Sequence, residues 1–260
     1  MEPRPLRTAL LSGLSFLLLA IPANAQKVAK DTTAEGPEIP HVSVTIPGEG
    51  GATLNCNEQA AQSFLIRANW FPKDDPKAGK ELFAKSLAYR TEKYGYFTGF
   101  GDRKLNPHPP GHYAKATTFM GMTLTVNQRI IPALACVEAA LKATKASDAY
   151  KPGSAGGIRY KNTYRGGEIS NHLYGIAIDI EPQRNTCCSC VDPWPDHPLC
   201  KKRVSSIFER MAMPRSWVVV FERYGFYWLG HDALQDTMHF EFLGDPDAIT
   251  TAAPSAPAKP

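Results

Sequence analysis

Apolar residues recur along the chain with two periods, and the period changes near its middle. Across residues 125–144 the spacing is helical, with Ile130, Leu134, Val137 and Leu141 on one stripe, which predicts a helix packed along that face. Residues 58–69 and 79–93 carry the same spacing and predict two further helices. Past residue 170 the period falls to two. Ile176, Ile178 and Ile180 alternate with Ala177 and Asp179, and Met238, Phe240 and Phe242 alternate with His239 and Glu241. Each is the pattern of a strand with one face in the core and a polar face turned elsewhere. Residues 213–221 (MPRSWVVVF) read as a buried β-branched run at the end of a helix. Helices early and strands late predict an α+β fold, a single domain with helices packed on a small antiparallel sheet.

The two ends have a different composition. Residues 1–25 combine a charged start, a short apolar run and Ala23-Asn-Ala25, the pattern of a secretory signal peptide cleaved after Ala25. Residues 26–50, rich in Pro, Gly and Thr, read as a flexible lead-in, and 249–260 as a disordered tail. The domain is then expected over 51–248. The apolar run is too short for a stable membrane anchor. Net charge is +4 with no lysine or arginine block, which argues against a nucleic-acid partner.

Export changes how the 6 cysteines are read, because an even count outside the cytoplasm favours disulfides. Cys187, Cys188, Cys190 and Cys200 crowd into one insert. A zinc knuckle is the competing reading, but adjacent Cys187 and Cys188 are awkward as joint tetrahedral ligands. Cys56 and Cys136, in separate helix-like segments, are candidates to pin the amino-terminal part to the body.

Chemistry gathers on the polar faces of the two strands. Gly175 lets the backbone turn just before the first, which can return His172 to the face of Asp179. That pair suits zinc, and it suits a plain hydrogen bond equally well. On the second strand His239 and Glu241 share a face, and Asp236 precedes His239 by three residues.

Taken together, Ser170, His172, Gly175, Ala177 and Asp179, then Gly225 and Trp228, then Asp236, His239 and Phe240 resemble the zinc D-alanyl-D-alanine carboxypeptidase family, over about residues 156–242. The resemblance implies that His172, Asp179 and His239 bind one Zn2+ and that Asp236 is the general base. Two imidazoles and a carboxylate also leave the open fourth position that catalytic zinc requires. Glu241 is the reserve base. The resemblance places a basic residue on the substrate's terminal carboxylate, upstream of the first ligand. Lys161 falls near the usual arginine position, so Arg159 or Arg165 is expected in that role, with Ser170 among the substrate-binding residues. His231 is a candidate oxyanion donor, and residues 181–202 form a disulfide-braced lip to the cleft.

The implied function is an exported zinc metallopeptidase acting on the peptidoglycan stem peptide, removing a terminal D-alanine. The alternatives are an endopeptidase that cuts an internal or crosslink bond and a non-catalytic zinc-containing binding module. An acidic residue at 236 speaks against the last, since a binding module needs no base.

Overall fold

Local signals start the longest helix. In α1 (Pro76–Tyr94) the Asp75 side chain accepts a hydrogen bond from the Ala78 N–H, and proline fills the first helical position, where no amide hydrogen is needed. This computed structural model describes residues 38–162, 169–190 and 194–254, all within one compact unit. The helix expected over 58–69 is absent. Two short 3-10 turns, Ser63–Leu65 and Arg67–Trp70, stand there instead. The Gln59 and Gln62 amides donate to Arg223 and Leu243 carbonyls at 2.7 and 2.9 Å, so a helical ladder has lost its donors to distant chain.

The helix expected over 125–144 begins later. Its first residues close a hairpin of β3 (Ala114–Phe119) and β4 (Met122–Asn127), joined at Met120 and Gly121, both with positive φ (50° and 81°). Thr123, Thr125 and Val126, all β-branched, suit a strand. Helix α2 (Ile131–Ala143) then starts with a proline in its first turn, and Ile130, Leu134, Val137 and Leu141 are all buried. The β-branched run lies inside α5 (Arg215–Arg223) rather than at a helix end.

A four-stranded antiparallel sheet carries the candidate chemistry. Its order is β5 (Ala155–Gly156), β6 (Ala177–Ile180), β8 (His239–Phe242) and β7 (Phe226–Trp228). Ile178 lies opposite Phe240, and Phe240 opposite Trp228. Phe240 stacks on Phe221 of α5 at 4.2 Å between ring centres. The apolar faces of β6 and β8 thus close the core against α2 and α5, as an α+β architecture requires.

The ordered chain runs past both expected domain boundaries. Strands β1 (Thr45–Pro47), β2 (Thr53–Cys56) and β9 (Thr250–Ala252) form a second antiparallel sheet, with Val44, Ile46 and Ile249 buried beneath it. The lead-in and the tail therefore each donate a strand, because β2 needs a partner on either edge. The expected signal peptide, residues 1–25, lies outside the described residues.

All 6 cysteines are paired, as Cys56–Cys136, Cys187–Cys190 and Cys188–Cys200. The first joins β2, a strand where a helix was expected, to α2 across a sequence separation of 80. Closing so long a loop restricts the unfolded chain by about 4 kcal/mol. Replacing both cysteines with serine is expected to lower the free energy of unfolding by about 2–4 kcal/mol in a urea titration. An unchanged midpoint would mean that the bond adds no stability. In the insert, Cys188–Cys200 ties the chain to α4 (Pro198–Lys201), and Arg210 donates to the Leu199 and Cys200 carbonyls at 3.0 and 2.8 Å.

Candidate metal centre

Register alone brings two of the predicted donors together. In the β6–β8 pair Asp179 is directly opposite His239 and Ala177 opposite Glu241, so one face of two neighbouring strands presents a carboxylate beside an imidazole. The third donor arrives by a tight reversal. Helix α3 (Asn171–Tyr174) is a single turn, capped at its start by the Ser170 Oγ, which accepts from the His172 N–H, and ended by Gly175 at φ 71°. A Cβ at Gly175 would lie 2.7 Å from the Asn127 amide nitrogen, so glycine is required there both by conformation and by space. Asn127 locks the turn, with its side chain donating to the Tyr94 and Tyr174 carbonyls at 3.2 and 3.1 Å.

The result is a buried cluster in which one ligating atom from each of His172, Asp179 and His239 lies within 4.8 Å of the others. His172 Nδ1 faces the Gly157 carbonyl oxygen at 2.7 Å and must donate to it, which leaves Nε2 with a free lone pair. Nε2 points at His239 Nδ1, 3.1 Å away, and at Asp179 Oδ2, 3.2 Å away. His239 is held from its far side, Nε2 to Glu241 Oε1 at 3.1 Å, so its Nδ1 turns to Asp179 Oδ1 at 2.9 Å. A carbonyl and a carboxylate behind two imidazoles are the outer support that orients metal-binding histidines.

The electrostatics fit a cation. Burial holds His172 below its ordinary pKa, in the neutral form a ligand needs. Burial also disfavours charge on His239, but the Asp179 and Glu241 carboxylates outweigh it and push the ring up to about 10. Asp179 is likewise opposed by burial, yet its hydrogen bonds to the two histidines keep it well below the carboxylate range. The field between these carboxylates stabilises a positive charge, borne by a proton on His239 or by a metal ion that displaces it. The donor set therefore fits zinc.

Asp236 differs from its neighbours. It is half-buried, its Oδ1 is shielded from solvent without a hydrogen-bond partner among the described residues, and burial raises its pKa to about 7, aided by the charge of Asp179. A poised carboxylate with one unpartnered oxygen, three residues before a candidate ligand, suits proton transfer.

Several expected roles change. Ser170 is buried and caps α3, so it positions His172. Glu241 supports His239; burial opposes its charge, but the hydrogen bond and charge of His239 hold its carboxyl down at about 2, and its contact with that ring gives it a supporting role. Arg159 pairs with Asp179 Oδ2 through Nη2, while its side chain stays 43% exposed. Arg165 lies outside the described residues. His231 is exposed, bonded to Glu222 Oε1 at 2.8 Å and packed edge-on against Trp228, a surface pair and no part of the cluster. Sequence reasoning overlooked the Gly157 carbonyl, a main-chain group that no side-chain motif reveals. It also overlooked Arg67, whose charge helps to lower Glu241.

Residues 163–242 match the family model described as D-alanyl-D-alanine carboxypeptidase. No curated protein and no solved structure matches the chain significantly. The matched stretch holds His172, Asp179, Asp236, His239 and Glu241, and it supports the family that the motif resembles. The class supported by match and site together is a metallopeptidase.

Proposed function

We propose that the protein is an exported zinc carboxypeptidase that removes the terminal D-alanine of peptidoglycan stem peptides. The observation that carries this reading is the buried His172–Asp179–His239 cluster with the Asp236 carboxylate, one oxygen of it unpartnered, close by. Bound by these three residues, zinc supplies Lewis acidity toward the attacking water and the scissile carbonyl. Asp236 takes the proton from the water and returns it to the leaving amine. Glu241 and the Gly157 carbonyl keep the two imidazoles turned inward throughout, so the ligand atoms need no reorganisation.

Arg159 holds Asp179 with one nitrogen and keeps further donors on a half-exposed side chain, available to the free carboxylate of a peptide end. Arg165 is the second candidate for that contact. Export is supported by the complete pairing of the 6 cysteines, which belongs to oxidising compartments. No helix among the described residues is long and apolar enough to cross a membrane.

The test compares kcat/KM on a peptide ending in D-Ala-D-Ala with its C-terminal amide, with and without chelator. Amidation removes the charge that pairs with the guanidinium, and efficiency is expected to fall roughly ten- to a hundredfold. Equal rates on both peptides would replace the carboxypeptidase with an endopeptidase. Zinc bound with no hydrolysis of either peptide would leave a binding module.

A further inference from the structure

The first residues of the cysteine-rich insert lie against the segment that carries Asp236 and are stitched to it. Cys187 and Asp236 form an isolated antiparallel bridge. On one side of it the Thr237 N–H and hydroxyl both donate to the Thr186 carbonyl, at 2.8 and 2.9 Å. On the other the Ser189 N–H donates to the Leu234 carbonyl at 3.1 Å. The two sulfurs of the Cys187–Cys190 disulfide and a carboxylate oxygen of Asp236 lie within 4.8 Å of one another.

The segment that bears Asp236 has reason to move without this support. Gln235 is held at φ 50°, a left-handed conformation that a non-glycine side chain resists. Asp236 itself has a buried Oδ1 with no hydrogen-bond partner among the described residues, and the main-chain hydrogen bond that its carboxylate accepts, from Met238, comes from the same segment. The 186–190 turn supports the backbone of 234–237 together with the Trp228 indole, which donates to the Thr237 carbonyl at 3.0 Å. That turn is closed by the Cys190 N–H, which donates to the Cys187 carbonyl at 3.1 Å, and by a disulfide spanning a sequence separation of only 3.

We propose that the Cys187–Cys190 disulfide is the brace that positions Asp236, and that its reduction by a dithiol slows turnover while leaving the metal-binding residues in place. The inference rests on Asp236 being the base of the proposed peptidase. Cys187 is buried and Cys190 is half-exposed, so an attacking thiolate reaches Cys190 first. It bonds to that sulfur, and the electron pair of the S–S bond leaves on Cys187, which takes up a proton. The second thiol of the reductant then displaces Cys190 as a thiol, and the reductant departs as its own disulfide. Two electrons and two protons pass to the protein. The second bridge of the insert, Cys188–Cys200, has no contact of this kind with Asp236 and serves as the control.

The experiment uses the full-length, metal-loaded protein and dithiothreitol, with the state of each cysteine pair read by mass spectrometry and zinc content measured on the same samples. On reduction of wild type, kcat on a D-Ala-D-Ala peptide is expected to fall roughly ten- to a hundredfold, the size of effect that misplacing a catalytic group by about 1 Å produces. KM and zinc content stay within about twofold, and reoxidation restores the rate. C187S/C190S is expected to show the low rate without reductant, and C188S/C200S the full one. The residual rate of D236N is expected not to respond to reduction. Amide exchange at Asp236 and Thr237 is expected to quicken by about tenfold or more when the bridge opens. Unchanged kcat and unchanged exchange with Cys187–Cys190 open would overturn the brace. Quickened exchange in a protein that hydrolyses no peptide in either state would keep the brace and overturn the peptidase.

Discussion

His172→Ala protein, loaded with zinc and then dialysed, is expected to retain far less than one equivalent of metal and to lose hydrolysis with it. The variant removes one of three donors and leaves Asp179 and His239 across a strand pair from an empty corner. Even outer supports of metal ligands are worth roughly 10–100-fold in affinity, so loss of a ligand itself should exceed a hundredfold. Glu241→Gln provides the calibration. It keeps all three ligands but weakens the contact at His239 Nε2, 3.1 Å from Glu241 Oε1, and is expected to fall in the 10–100-fold range. Metal analysis after dialysis against graded chelator ranks the three proteins. Full zinc content in His172→Ala would remove His172 from the ligand set, and an order reversed between the two variants would remove the support role of Glu241.

The second large effect separates chemistry from metal binding. Asp236→Asn is expected to keep its zinc while kcat falls by roughly 10²–10⁴, the share that a general base contributes. The pH behaviour follows from the same residue. The base must be ionised, so activity rises with pH through the folded pKa. That pKa is about 7 in the metal-free protein, and a bound cation moves it lower by favouring the carboxylate. The acid limb of kcat/KM is therefore expected at or below pH 7 and should vanish in the variant. If activity persists in Asp236→Asn with its acid limb intact, another residue is the base.

Stability carries the opposite sign. Asp236 has a folded pKa of about 7 against 3.8 unfolded, so the folded state pays to ionise it. Metal-free Asp236→Asn should be more stable than wild type above pH 7, by on the order of 1–3 kcal/mol once the hydration left to a half-buried side chain is allowed for. The gain should fade between pH 7 and 4 and be absent below, where the carboxyl is protonated in both states. Urea titrations at pH 8 and pH 4 check it. No difference between the two would mean that Asp236 is well solvated and poorly suited to its role.

The polar faces that carry Asp179, His239 and Glu241 were legible in the sequence because they rest on local periodicity, while their grouping with His172 as a metal-binding set came from the resemblance. Alternation of Ile176, Ile178 and Ile180 puts Asp179 on the opposite face, and alternation of Met238, Phe240 and Phe242 does the same for His239 and Glu241. The turn at Gly175 was legible for a similar reason, since a left-handed residue is a property of a few bonds. Residues 58–69 were misread because their amides are claimed by Arg223 and Leu243, more than 160 positions away. The two domain boundaries were misread because β2 finds β1 and β9 as partners from beyond them. Within the site, tertiary structure alone decided that Ser170 caps α3, that Glu241 holds His239, that Arg159 pairs with Asp179, and that Cys187 lies beside Asp236. Side-chain chemistry and strand period are written into neighbouring residues. Burial, hydrogen-bond partner and ionisation state arise only where segments distant in the chain exclude water from one another.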